Sequence, residues 1–255
     1  MTGSISDADR LRKLETAGFV ALLQFVSGED FNELLTHVER FIQDIVPRLP
    51  AEHVFYEDKN NPATLKQIQR MHDHDPWFDE LFAGSRFREL AELLLGGPVV
   101  PQNMQYFNKP PGVGQPTPPH QDGYYFMLDP CAAVTMWLAL DEVDEENGCV
   151  RYVRGSHGRG LRAHARTQTL GFSQGIVDYP TDADRALECA CPARPGDLLV
   201  HDALTIHRAD GNRSATRSRR ALGFIYYSER AREDSEAHAR YQRKLAAEMQ
   251  AQGKI

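Results

Sequence analysis

Apolar positions recur at helical spacing over residues 7–48, through Leu11, Leu14, Phe19 and Val20 and then Phe31, Leu34, Leu35, Val38 and Phe41. That period predicts amphipathic helices. Ser27-Gly28-Glu29-Asp30 interrupts the run and can cap the second helix. Gly18-Phe19-Val20 reads as a short strand before the break. Glu57 to Pro62 is polar and reads as a loop. From Leu65 to Leu95 the helical spacing returns, through Phe78, Leu81, Phe82, Phe87 and Leu90, until Gly96-Gly97-Pro98 ends it. Beyond Pro98 the texture changes. Short apolar or alternating runs (Val99-Val100, Met104 to Phe107, Ala133 to Leu140, Cys149 to Val153, Asp197 to His201, Ala221 to Tyr227) are separated by Gly, Pro, Asn and Asp. Such runs predict a β-sandwich or barrel. Asp234 to Gln252 predicts a polar helix packed on the outside. The pattern gives one domain over 1–255: a mainly helical part over 1–97, a β core over 98–228 and a C-terminal helix over 232–252.

With 255 residues the chain can bury a large core without disulfide or metal staples. Its net charge of −7 and pI near 5.8 argue against a nucleic-acid partner. The longest basic cluster, Arg217-Ser218-Arg219-Arg220, is too short to alter that. No apolar stretch approaches the roughly 20 residues that span a bilayer, and the first residues carry no apolar signal core. Cys131, Cys149, Cys189 and Cys191 form no CxxC pair. The expectation is a soluble, cytoplasmic protein acting on a small molecule, with no nucleic-acid or membrane partner. A monomer is the default, and the C-terminal helix could equally support a dimer. No GxGxxG or Walker-type loop occurs, which lowers the weight of nicotinamide and nucleotide-hydrolysing readings.

The chemically suggestive segment is Pro118-Pro119-His120-Gln121-Asp122-Gly123. If it is extended, His120 and Asp122 point to one face and converge on one metal. His207, after a predicted strand, supplies a third ligand. Two His and one carboxylate make the facial triad of non-heme Fe(II) oxygenases, and a zinc hydrolase could use the same set. Each residue also has an ordinary reading, as a loop histidine, a turn carboxylate or a surface base. His157, His164 and His201 are alternative ligands. Arg219, at the head of the last apolar run, could clamp a dicarboxylate bidentately.

An ordered series of motifs narrows these choices. Lys109-Pro110-Pro111-Gly112, His120-Gln121-Asp122, Trp137-Leu138-Ala139-Leu140, Glu146-Asn147-Gly148-Cys149, Gly155-Ser156-His157, Pro195-Gly196-Asp197, His207, Asn212-Arg213-Ser214 and Arg219-Arg220 follow in that order. Together they resemble the phytanoyl-CoA dioxygenase family of Fe(II)/2-oxoglutarate oxygenases, from about Lys66 to Tyr227. The resemblance implies a mainly β fold with flanking α, a double-stranded β-helix (jelly-roll, cupin-like) core, in agreement with the strand pattern. It implies Fe(II) on His120, Asp122 and His207, with 2-oxoglutarate and O2 as cosubstrates and the distal carboxylate on Arg219. Arg219 is preferred to Arg217 because it heads the Arg-Arg-Ala-Leu strand. By the same resemblance Lys66, in a helical region, Gln105 and Trp137 contact the cosubstrate. Relatives often carry serine two residues after the distal His, where this chain has Ala209.

The implied reaction hydroxylates an unactivated C–H bond of a small metabolite and releases succinate and CO2. Asp122 favours hydroxylation over halogenation, since related halogenases carry a small residue there. Desaturation and ring formation share the first step and stay open. The polar and aromatic residues around the motif, Asn103, Tyr106, Gln121 and Tyr124, together with the segment Leu170 to Gly175, are expected to line a pocket for a partly polar substrate. The ectoine hydroxylase signature is absent, and no extended basic cluster marks a coenzyme A phosphate site. Two other classes stay open: a metal-dependent hydrolase or isomerase on the same fold, and a non-catalytic 2-oxoglutarate sensor.

Overall fold

A computed structural model describes residues 5–167, 174–241 and 243. In chain order its elements are α1 (Asp7–Ala17), β1 (Phe19–Leu22), α2 (Gly28–Arg40), β2 (Val54–Tyr56), β3 (Leu65–Ile68), α3 (Pro76–Ala83), α4 (Arg86–Leu95), β4 (Val99–Phe107), β5 (Thr117–His120), α5 (Gly123–Phe126), β6 (Leu128–Asp129), β7 (Ala133–Ala139), β8 (Val150–Val153), β9 (His164–Arg166), β10 (Gln174–Ile176), α6 (Asp182–Leu187), β11 (Glu188–Cys191), β12 (Leu198–Asp202), β13 (His207–Ala209), β14 (Ala221–Ser228) and β15 (Arg232–Glu233). Local chemistry sets the helix ends. The side chains of Ser6, Asp75 and Ser85 accept from first-turn amides of α1, α3 and α4. Gly18 and Gly96 close α1 and α4 in the left-handed conformation that glycine takes without strain.

Two sheets face each other to form the jelly-roll core. The larger has the order β1-β12-β7-β14-β4-β3-β2, and the smaller β11-β8-β13-β5. β7 and β14 are buried along their whole length because both faces are covered. On the outer face Met104, Tyr106, Met136, Leu138, Leu222 and Phe224 pack against Phe78, Phe82, Phe87 and Leu90 of α3 and α4. Phe87 stacks on Phe224 with ring centroids 4.0 Å apart. Burying each such side chain contributes roughly 1.5–3 kcal/mol. On the inner face Trp137, Ala139, Leu199 and Ala221 meet Val150 and Tyr152 of the smaller sheet.

Three differences from the sequence pattern bear on the site. The N-terminal part carries, besides the expected strand β1, the strands β2 and β3, which also extend the larger sheet, so it is less helical than expected. Leu65–Ile68 is a strand rather than the start of a helix, and all four residues are buried. Lys66 is held by Glu57 at 3.2 Å and Gln67 Nε2 donates to Gln105 at 3.1 Å, while Gln67 Oε1 is buried with no hydrogen-bond partner. At the other end Arg232 and Glu233 pair with Asp129 and Leu128 as a strand, where a helix over 232–252 was expected. Helix begins at 235 and runs through 241; the rest of the expected helix lies outside the described residues. Among the described residues no helix is long and apolar enough to cross a membrane.

Candidate metal centre

Pro118 and Pro119 have no amide hydrogens to give, which restricts β5 to a sheet edge. It is the edge strand of the smaller sheet and pairs with β13. That register sets His120 directly opposite His207, and β13 in turn sets His207 opposite Tyr152. The strand ends at His120. Asp122 has φ −59° and ψ −35° and opens α5, its carbonyl accepting from Tyr125 at 2.9 Å. The expected extended His-x-Asp segment is therefore not how the two side chains meet. A helical turn folds the carboxylate back over the imidazole.

One ligand atom each of His120, Asp122 and His207 lies within 4.8 Å of the others, the only such cluster among the described residues. Asp122 Oδ1 is 3.4 Å from His120 Nε2 and 3.7 Å from His207 Nε2. The Nδ1 atoms of His120 and His207 face the carbonyls of Pro118 and Thr205 at 2.8 and 3.0 Å. A carbonyl only accepts, so each Nδ1 carries the proton and each Nε2 presents a lone pair to the common point. Burial, then the neighbouring His120 and His201, holds the His207 pKa well below the usual value, which keeps the ring neutral. Burial alone would raise the Asp122 carboxyl, but His207, His120 and His201 hold it well below the carboxylate range. Two imidazoles and one carboxylate are a donor set that fits Fe(II).

The other oxygen of Asp122 is occupied by protein. Thr135 donates to Oδ2 at 2.5 Å, and His201 Nε2 lies 3.1 Å from it. His201 Nδ1 is 3.0 Å from the Tyr152 hydroxyl. His201 is thus not a member of the ligand cluster but a support of the carboxylate. Thr135 and His201 are cross-strand partners on β7 and β12. Their pairing needs a register between distant strands, and the sequence offers only the parity of each strand taken separately. His157 binds the carbonyl of Glu15, and His164 faces the amide of Gln121, so neither joins the cluster.

Arg219 lies just before β14, and its backbone exchanges two hydrogen bonds with Lys109. It is 4% exposed, and its Nε has no hydrogen-bond partner. The guanidinium sits 5.3 Å from the Trp137 ring centroid. Burial pushes its pKa down to about 10. Arg217 pairs instead with Asp144 and Glu146, and Arg220 with Asp141. Burial, then Arg219 and Lys66, also pushes the Lys109 amine well below its usual value. Lys66, Lys109 and Arg219 thus share one electrostatic neighbourhood, with Glu57 and Asp210 acting on Lys109 and Asp141 on Arg219 from the opposite sign. That buried positive charge suits a dianion. Gln105 and Trp137 flank Gly223 across three strands on the inner face.

The expected substrate residues divide. Tyr106 pairs with Leu222, whose partner on the other side is Leu138, and faces the helices, away from the metal point. Asn103 is on the inner face by register, and its side chain accepts from the amide of Arg70 at 3.0 Å. Tyr124 stacks on His164, with ring centroids 4.3 Å apart. Gln121 is fully buried. Its amide donates to the carbonyls of Gly160 and Leu204 at 2.9 and 2.7 Å and accepts from Arg162 at 2.8 Å. It holds two loops together rather than meeting a substrate. Gln121→Leu is therefore expected to destabilise the protein by about 1–3 kcal/mol, because it leaves three partly buried backbone groups without this partner. Urea unfolding measures this, and a change under about 0.5 kcal/mol would show that the loops stand without it. Of the segment Leu170 to Gly175, residues 170–173 lie outside the described residues. Gln174 is held through its backbone by the Tyr125 hydroxyl.

Known proteins resemble the chain in sequence and in fold. A rice (Oryza sativa subsp. japonica) protein named phytanoyl-CoA dioxygenase 1 is 27% identical over 253 residues, covering 86% of this chain and 88% of its own. The solved carbocyclase SnoK, described as a non-heme alpha ketoglutarate dependent enzyme of nogalamycin biosynthesis, superposes with a TM-score of 0.68 at 23% identity, over 89% of this chain and 87% of its own. EctD from S. alaskensis, solved with 2-oxoglutarate and 5-hydroxyectoine, gives a TM-score of 0.71 at 20% identity, over 89% and 78%. The family model for phytanoyl-CoA dioxygenase (PhyH) matches residues 14–221, and the chain belongs to that family.

Proposed function

We propose that the protein is an Fe(II)/2-oxoglutarate-dependent dioxygenase that hydroxylates an unactivated C–H bond of a small, partly polar metabolite. The observation that carries this reading is one inter-sheet space with two kinds of site. The donor atoms of His120, Asp122 and His207 converge there. Trp137, two residues beyond Thr135 on the same face of β7, lies against the buried Arg219 guanidinium. When bound, the iron and 2-oxoglutarate supply O2 activation coupled to oxidative decarboxylation, with succinate and CO2 released.

The chain's own contribution is positional. The carbonyls of Pro118 and Thr205 fix the imidazole tautomers, and Thr135 and His201 fix the carboxylate. Arg219 takes the distal carboxylate of the cosubstrate in a bidentate pair. The Trp137 ring excludes water from that pair, which strengthens it. Lys66 and Gln105 complete the polar lining.

The test is anaerobic titration of metal-free protein with Fe(II) and then 2-oxoglutarate. A visible metal-to-ligand charge-transfer band is expected, followed by succinate release in air when a substrate is present. Folded, iron-loaded protein without the band, or turnover of any substrate without O2 and 2-oxoglutarate, would move the assignment to a metal-dependent hydrolase or isomerase. The band without succinate across a broad metabolite screen would leave a sensor.

A further inference from the structure

The partners of Asp122 Oδ2 form a chain that crosses the whole core. An ionised carboxylate only accepts, so the His201 nitrogen facing it, Nε2, carries the proton. Nδ1 of the same ring lies 3.0 Å from the Tyr152 hydroxyl, and the two share a hydrogen bond. Thr135 donates to the same Oδ2. Both acceptor positions of that oxygen are thereby used, while Oδ1 alone faces His120 and His207. The parts are rigid. Tyr152 is fully buried, stacks on Phe19 at 4.5 Å, and is the cross-strand partner of His207 on the smaller sheet. Thr135 and His201 are partners on the larger sheet, 8% and 3% exposed. A buried threonine, histidine and tyrosine are costly unless paired, and the hydrogen bonds of their side chains converge on this one carboxylate.

We propose that Thr135 and the Tyr152-supported His201 are positioning residues that clamp Oδ2 of Asp122, so that the carboxylate offers a bound metal one oxygen only. The inference rests on the metal-site reading above. A carboxylate free to turn can chelate with both oxygens and take up an extra coordination position. 2-Oxoglutarate needs two adjacent positions, and O2 a third, of the three that a facial triad leaves open. The clamp therefore protects cosubstrate binding rather than metal binding as such. This distinguishes it from outer partners that merely raise metal affinity.

The test uses Co(II), whose visible bands report coordination number, in the full-length metal-free protein under anaerobic conditions. Thr135→Val removes the hydroxyl at constant volume, and His201→Leu removes the ring. At saturating Co(II), each is expected to weaken 2-oxoglutarate binding about 10–100-fold and to change the intensity of the Co(II) bands. Thr135→Ser, which keeps the hydroxyl, should close most of the gap left by Thr135→Val, and His201→Gln, which keeps an N–H donor, should do the same at its position. Tyr152→Phe should give a smaller loss in the same direction. Unchanged 2-oxoglutarate affinity and bands at saturating Co(II) would overturn the clamp, even if Co(II) affinity itself fell. Wild-type protein that binds neither Co(II) nor 2-oxoglutarate would instead overturn the oxygenase reading, and the clamp with it.

Discussion

His207→Ala is expected to abolish 2-oxoglutarate turnover and to weaken metal binding by more than the roughly 10–100-fold loss typical of outer-shell changes. Its Nε2 is one of only three donors, and no neighbour can replace it: His201, the nearest other imidazole at 4.3 Å between ring centroids, is already committed to Asp122 Oδ2 and Tyr152. Anaerobic Fe(II) titration of the metal-free variant measures the loss. An unaltered metal affinity would remove His207 from the site.

The ligands were legible in the sequence for a chemical reason. Iron needs particular side-chain types, and His120 and Asp122 lie in one short segment where their pairing can be read. His207 and Arg219 are fixed less by local spacing than by the order of motifs around them. What joins these residues was not legible. Strand alternation suggested how His120 and Asp122 would converge, yet the strand stops at His120 and a helical turn does the work. Thr135, Tyr152 and His201 carry no local signal, because each acquires its role from a partner more than ten residues away.

The errors have the same origin. Alternation along β4 tells which residues share a face but not which face is inward, and a phase error of one turns every side chain over. Tyr106 was placed with Asn103 although neighbouring parity separates it from Gln105, and the structure sends it to the helices with Leu222. Lys66 and Gln67 look like a solvated helix face because both are polar. They are buried on a strand, and the charge of Glu57 and the amide of Gln105 that permit this come from elsewhere in the chain. Gln121 sits between two ligands and so resembles a substrate contact, but its hydrogen bonds reach residues 39 to 83 positions away.

Arg219→Met is expected to separate stability from cosubstrate binding, with opposite signs. In the absence of ligand the guanidinium is buried and its pKa is pushed down to about 10. A shift of that size corresponds to a cost of order 3 kcal/mol for keeping the charge in the fold. The cost is fully present below the folded value and fades only as pH rises beyond it, so it applies throughout the neutral range. The Trp137 ring offsets about 0.5–2 kcal/mol of it through the cation–π contact. Methionine retains much of the apolar stem and removes the charge. The metal-free, cosubstrate-free variant should therefore unfold at higher denaturant concentration than wild type, by about 1–2 kcal/mol. Cosubstrate binding should respond the other way. Deleting one partner of a buried, hydrogen-bonded charge pair costs about 3–5 kcal/mol, or roughly two to three orders of magnitude in 2-oxoglutarate affinity. Metal affinity should change little, because Arg219 is not a ligand. Parallel urea unfolding and 2-oxoglutarate titration of the metal-loaded protein measure both arms. A variant that loses stability while binding 2-oxoglutarate as wild type does would make Arg219 a structural residue and leave the distal carboxylate to Lys66 or Lys109. A more stable variant that no longer binds the cosubstrate would mean that the fold keeps an uncompensated charge in its core for a ligand to neutralise.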